Sequence, residues 1–242
     1  SQNAWVAQQI AQLIKQGMDA KDIAVLAPKH EYLEALVPFL HHAGLPIHYD
    51  KRENVLEDET IMQLVAMCRL VLALGERNHA LANHLWPQVL GFRFWQLPTS
   101  LIWQLSWQAE ADHSAWIDTL CEHSATKPIA LFFIRISQLA QTETLEQIMD
   151  KLIGVEPTEL GEKDLASYRS PFYEYYFGPL MDKHDDIQTF WQLLSNLTVV
   201  RQHLREYRSY ENTPLKLQDF VEFVEAHREA NIKIINTSPY QE

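Results

Sequence analysis

The basic side chains best placed to do chemistry form two sets. Lys29 and His30 follow the apolar run 23–27, and Lys51 and Arg52 follow the run 45–49. If both runs are parallel strands, these four gather beyond the strands' carboxyl ends, where open α/β sheets meet nucleotides or nucleic acid. On another fold they are plain surface charge. Arg201, Arg205 and Arg208 are spaced i, i+4, i+7, which lines them along one helix face beside an apolar seam of Leu193, Leu197, Val200, Leu204 and Tyr207. Such a stripe can track a phosphate backbone, or it can be a solvated face paired with acidic neighbours.

Other chemistries find less support. His79 and His84 are five apart, on different faces of a helix, with no third zinc ligand nearby. His41 and His42 suit a helix C-terminus, and Glu57, Asp58 and Glu59 suit the start of the next helix, where their charge complements the dipole. The aromatic group Phe172, Tyr173, Tyr175, Tyr176 and Phe177 can stack on bases or pack between helices. No serine or cysteine carries the signature of an activated nucleophile. There is no Gly-x-x-x-x-Gly-Lys-Ser/Thr loop, and seven glycines leave no other phosphate cradle to propose. No catalytic residue and no metal ligand is expected.

The elements that must position these residues follow from periodicity. Val6, Ile10, Leu13 and Ile14 predict an amphipathic helix stopped near Gly17, and a strand is expected over 23–27. A helix from about residue 31 stacks Leu33, Leu36, Val37 and Leu40 and ends at Gly44, with Pro38 bending it or shortening its first turn. Residues 45–49 read as a second strand, so helix, strand, helix and strand form a right-handed crossover unit. A long helix follows, with Ile61, Leu64, Val65, Cys68, Val71 and Leu72 as its buried face and Gly75 closing it. Beyond Arg77 helices are expected at about 79–85, 100–109, 114–123, 128–140, 145–153, 185–208 and 215–230. Residues 154–170, with Pro157 and Gly161, read as a loop.

Composition sets the bounds. A chain of 242 residues, 47% hydrophobic and poor in glycine, has ample material for one large core or two small ones, predominantly helical. The net charge of −12 disfavours a freestanding nucleic-acid binder and confines any DNA contact to one face. Cys68 and Cys121 fit neither a metal spacing nor a disulfide framework, so buried thiols are expected. With no signal peptide and no apolar run of the ~20 residues a bilayer requires, a cytoplasmic protein without membrane contact is expected.

Several ordered blocks also carry a family likeness. Residues 6–17 (Val-Ala-Gln-Gln-Ile-Ala-Gln-Leu-Ile-Lys-Gln-Gly), Asp22 to Leu26, Leu33 to Leu36 and Ala43 to Ile47 resemble the opening of the second RecA-like domain of superfamily 1 helicases of the UvrD, Rep and PcrA type. Val55 to Asp58, Ile61, Arg69 and Leu70 are similar to that family's next block. The likeness covers about the first 75 residues, and residues 217–235 resemble the helix and return strand that precede its motif V. It implies an incomplete α/β fold: residues 1–76 as part of RecA-like domain 2A, 77–214 as an inserted helical domain resembling 2B, and 215–242 as the return to 2A. Hinges are then expected near 75–78 and 213–215.

The resemblance implies an ATP-dependent 3′-to-5′ DNA helicase or helicase-nuclease in the full-length protein, working with ATP, Mg²⁺, single-stranded DNA and a duplex junction. No ATPase activity and no bound cofactor are expected from this piece, which looks cut from a larger enzyme. Pro28 stands where the family has an arginine facing the γ-phosphate, and Lys29 places a cation beside it without arginine's bidentate fork. Leu85 to Gly91 occupy the place of the family's Arg-Gly-Ile-Gly-type DNA contact. His30, Lys51, Arg52, Arg201, Arg205 and Arg208 are the candidate DNA contacts, and the helical part is expected to position DNA and regulate the motor. The alternative is an acidic helical module that binds protein partners and makes no DNA contact, which seven tryptophans suit.

Overall fold

Pro38 divides what periodicity alone reads as one helix. The computed structural model describes residues 2–45, 54–162, 165–178, 184–207 and 213–236; the side chains of residues 30, 34 and 184–194 are outside that description. Helix α1 (Gln2–Lys15) precedes a one-turn 3₁₀ helix (Ala20–Asp22), then α2 (His30–Glu34) and α3 (Val37–His42). Pro38 cannot donate back to residue 34, so α2 stops and α3 starts afresh with the proline in its first turn. These elements form a first compact unit, Ser1–Lys51. Its core is small: Ala7, Leu36 and Leu40, with Val6, Ile10 and Leu45 packed around them. Asn3 Nδ2 donates to the Ala35 carbonyl at 2.9 Å and ties α1 to the turn before α3.

The strand expected over 23–27 does not form. The segment is neither helix nor strand, and its apolar side chains are out of the core, Leu26 being 94% exposed. An apolar run becomes a strand only when a neighbour supplies the ladder of hydrogen bonds, and none is present among the described residues. The second expected strand, 45–49, lies outside the described residues apart from Leu45. A RecA-like sheet is therefore absent from the described residues, and the chain is predominantly helical.

The second unit, Arg52–Glu242, is built around α4 (Glu59–Gly75). Periodicity assigns α4 a single buried face, yet Ala66, Met67, Leu70 and Ala73 are buried as well. A helix apolar nearly all round needs neighbours on every side. It has them in α5 (His79–Leu90), α8 (Lys127–Leu139), α9 (Leu145–Ile153), α11 (His184–Tyr207) and α12 (Leu217–Glu229). Helices α6 (Thr99–Ala111) and α7 (Trp116–Glu122) close one side through α5 and α8. Phe133 sits at the centre of an aromatic group, with ring centroids 5.4 Å from Trp86, 5.3 Å from Phe132 and 6.0 Å from Trp95. Edge-on pairs of this kind add ~0.5–1.5 kcal/mol each beyond their burial.

Within the expected loop 154–170 a short antiparallel pair forms, β1 (Thr158–Glu159) with β2 (Ser167–Tyr168), in register Thr158 to Tyr168. It leads to α10 (Phe172–Phe177), whose Phe172 and Phe177 are buried, so this aromatic group contributes to packing. Burial pushes the Tyr168 hydroxyl up to about 12. Its folded value thus lies above the ~10 of an unfolded chain. The neutral phenol's contribution is complete below that lower value and is lost as pH rises toward the upper one. Tyr168→Phe removes the titration, so alkaline unfolding curves are expected to fall less steeply for this variant than for the parent chain. Equal slopes would show that Tyr168 does not govern the alkaline limb.

The segments expected as hinges are tied within the second unit. Asn78 Oδ1 caps α5 by accepting from Leu81 N at 3.1 Å, while the Asn78 N–H returns to the Ala73 carbonyl at 2.8 Å. The Leu215 carbonyl accepts from Leu145 N at 2.8 Å, and Lys216 Nζ donates to the carbonyls of Thr142 and Glu143, both at 2.9 Å. Where the second unit begins and where its last described residues lie, the chain instead meets itself. Val55 N donates to the Ile234 carbonyl at 2.8 Å, and Asn54 forms an antiparallel bridge with Ile235.

Candidate functional site

The helix carrying the basic stripe forms as its seam requires. Val200 and Leu204 are 3% and 1% exposed, which leaves Arg201 and Arg205 at the exposed edge beside this buried seam of α11. The two guanidinium groups lie one turn apart and converge on one carboxylate. Arg201 Nη2 and Arg205 Nη2 each approach Glu146 Oε1 at 3.3 Å. Glu146 belongs to the first turn of α9, a helix fixed by a reciprocal cap between Thr144 and Gln147. One turn further along α9, Asp150 faces the same region. Burial and the Glu156 carboxylate push Asp150 upward, while the charges of Lys151 and Arg201 oppose them.

Two arginines and two acids therefore balance locally. More than half of each arginine side chain is exposed, so each pair contributes only ~0–1 kcal/mol to stability. Arg208, Lys51 and Arg52 lie outside the described residues. Lys29 is exposed at the position that caps α2, and His30 is the first residue of that helix.

The acidic run before α4 acts as a cap. Asp58 Oδ1 accepts from Thr60 N at 3.0 Å, Ile61 N at 3.2 Å and the Thr60 hydroxyl, and Oδ2 accepts from Asn196 Nδ2 at 3.3 Å. Asn236 Nδ2 donates to Ser195 Oγ at 2.7 Å and Asn196 Oδ1 at 3.0 Å, while Asn54 Oδ1 accepts from Ile234 N at 3.1 Å. Sequence reasoning assigned none of these asparagines a role, because each joins segments far apart in the chain through an amide with no local signature. His79 and His84 remain separate on α5, and among the described residues no group of three His, Cys, Asp or Glu side chains is placed to hold a metal. Cys68 and Cys121 are both free thiols, raised in pKa chiefly by burial. No described helix is long and apolar enough to cross a membrane.

A second surface feature lies on α6. Trp103 and Trp107, one turn apart, are 59% and 63% exposed, with ring centroids 6.3 Å apart. Leu105 and Ala109 form the buried side of α6, and the indoles point the other way. No family model matches this chain, and no curated protein sequence matches it either.

Proposed function

We propose that this chain is part of an ATP-driven 3′-to-5′ DNA motor of the superfamily 1 type, acting in DNA repair or recombination, with its helical body as an inserted accessory domain. The observation that carries the proposal is the junction of Asn54 with Ile235, taken with the ordered sequence blocks on either side of the helical region. An inserted domain must leave its parent and return at one place, and close ends are what make insertion tolerable. On this view residues 23–27 gain their sheet partners from the rest of the motor, and ATP and Mg²⁺ bind there too. The helical domain positions duplex DNA and restrains the motor by moving relative to it.

Arg201 and Arg205 are the DNA-binding residues to test, with Lys29 as the cation nearest the nucleotide and His30, Lys51, Arg52 and Arg208 as further DNA contacts. Binding of a forked duplex to the 242-residue chain is expected to weaken with salt. Replacing Arg201 and Arg205 by alanine should reduce the slope of log K against log salt by about two, one for each phosphate that an arginine no longer neutralises. Glu146→Gln should act in the opposite direction by releasing both guanidinium groups. Fork affinity indifferent to all three changes would overturn the DNA role of this face.

A specific observation favours a second role, as a protein-interaction module without DNA contact. Glu146 already neutralises the stripe, and the exposed indoles of α6 resemble the aromatic anchors of protein interfaces. A salt-insensitive protein complex formed without nucleic acid, together with a null result at the fork, would select it.

A further inference from the structure

We infer that the outer face of α6 is a docking site for a cationic segment of a partner protein, rich in arginine, whose guanidinium groups stack on Trp103 and Trp107 while Glu110 holds their charge. This inference does not rest on the motor reading. It stands on two local rules that α6 breaks together.

The first concerns burial. Two indoles on adjacent turns of one helix are more than half exposed, although the same helix has a buried side formed by Leu105 and Ala109. Tryptophan is among the most buried residues on average, and exposed neighbouring indoles are characteristic of binding surfaces. The second concerns charge. Glu110 lies in the last turn of α6 and Asp112 is its C-terminal cap, against the negative end of the dipole, where a cation is the stabilising choice. Neither acid has an ion-pair partner among the described residues, whereas Glu143, Glu146 and Glu225 do. No lysine or arginine occurs anywhere between Arg93 and Lys127, while Glu110, Asp112, Asp118 and Glu122 all fall in that stretch.

One occupant relieves both violations. A guanidinium over an indole face gains cation–π attraction and planar stacking, and Glu110, three residues beyond Trp107, lies beside the rings to accept its hydrogen bonds. Broken local rules without compensation inside the fold are the pattern expected of a functional surface. Nucleic acid suits the face poorly. Bases stack on tryptophan, but the backbone that carries them needs adjacent cations, and this stretch has no lysine or arginine to supply them.

The test uses the 242-residue chain and a short fluorescent peptide carrying arginines spaced by neutral residues. Its counterparts are the same peptide with lysine or glutamate in place of arginine, and an oligothymidine strand. Fluorescence anisotropy is expected to report saturable binding of the arginine peptide, weaker binding of the lysine peptide and none of the glutamate peptide. Trp103→Gln and Trp107→Gln should each weaken the arginine peptide about 3- to 10-fold, the range of one partly desolvated cation–π contact. Glu110→Gln should weaken it and flatten its salt dependence, while Glu206→Gln on α11 leaves it unchanged. These side chains are exposed, so thermal melts of the variants should match the parent. Equal losses from Glu110→Gln and Glu206→Gln, with no effect at either tryptophan, would reduce the binding to general attraction by an acidic protein and overturn the inference. So would oligothymidine binding that depends on Trp103 and Trp107.

Discussion

Replacing Gly154 by alanine is expected to lower the urea midpoint of the helical unit by the equivalent of about 3 kcal/mol or more, with little change in slope. Gly154 ends α9 in the left-handed region, at φ 89° and ψ 21°, and its N–H reaches the carbonyls of Asp150 and Lys151. That conformation alone costs an alanine ~1–2 kcal/mol. The larger cost is steric, because a Cβ would lie 2.1 Å from the Ser170 carbonyl oxygen. Ser170 cannot easily withdraw. It is 1% exposed, its hydroxyl accepts from Phe172 N, and Phe172 is fully buried against Phe94 with ring centroids 5.2 Å apart. Gly161→Ala isolates the backbone share, since Gly161 has φ 74° with open space around its Cβ position. That variant should lose only about 1 kcal/mol. Equal losses at the two positions would show that the approach of Ser170 is not what makes Gly154 necessary.

The contrast between these two glycines shows what sequence can and cannot display. Helix α9 was legible to the residue over 145–153, because its apolar spacing is strong and a glycine stops it. Helices α11 and α12 were legible to within about two residues for similar reasons. The partner of Gly154 was not legible, since nothing near Gly154 announces that Ser170 returns to it. The expected strand at 23–27 failed on the same ground: β-branched and apolar residues describe a segment able to pair, and pairing depends on a second strand. The extent of α4's burial was underread because its polar positions are few and its neighbours come from five later helices. At the candidate site, the i, i+4 spacing of Arg201 and Arg205 correctly placed them side by side, yet their common partner Glu146 lies 55 and 59 residues away. Local spacing gives adjacency on a helix, and only the tertiary fold says what that face meets.

Asp58→Ala is the change expected to loosen the junction on which the proposed insertion depends. The carboxylate satisfies two otherwise orphaned amides at the start of α4, and losing such a cap costs about 1–2 kcal/mol. The variant also strips Asn196 Nδ2 of its acceptor on a side chain that is only 4% exposed, adding about 1 kcal/mol or more. A total loss of about 2–3 kcal/mol follows, and Asp58→Asn, which keeps an oxygen for the cap, should recover more than half of it. The location of the loss separates this account from a general weakening of the core. Asn196 links Asp58 to Asn236, so the amides of Val55 and Ile234, which bridge the two chain segments, should exchange hydrogen faster in Asp58→Ala under conditions where the α8 amides are unchanged. Exchange that rises equally in α8 would mean that Asp58 supports only the fold as a whole. Exchange confined to the junction would show that one capping carboxylate tunes local opening where the two chain segments meet.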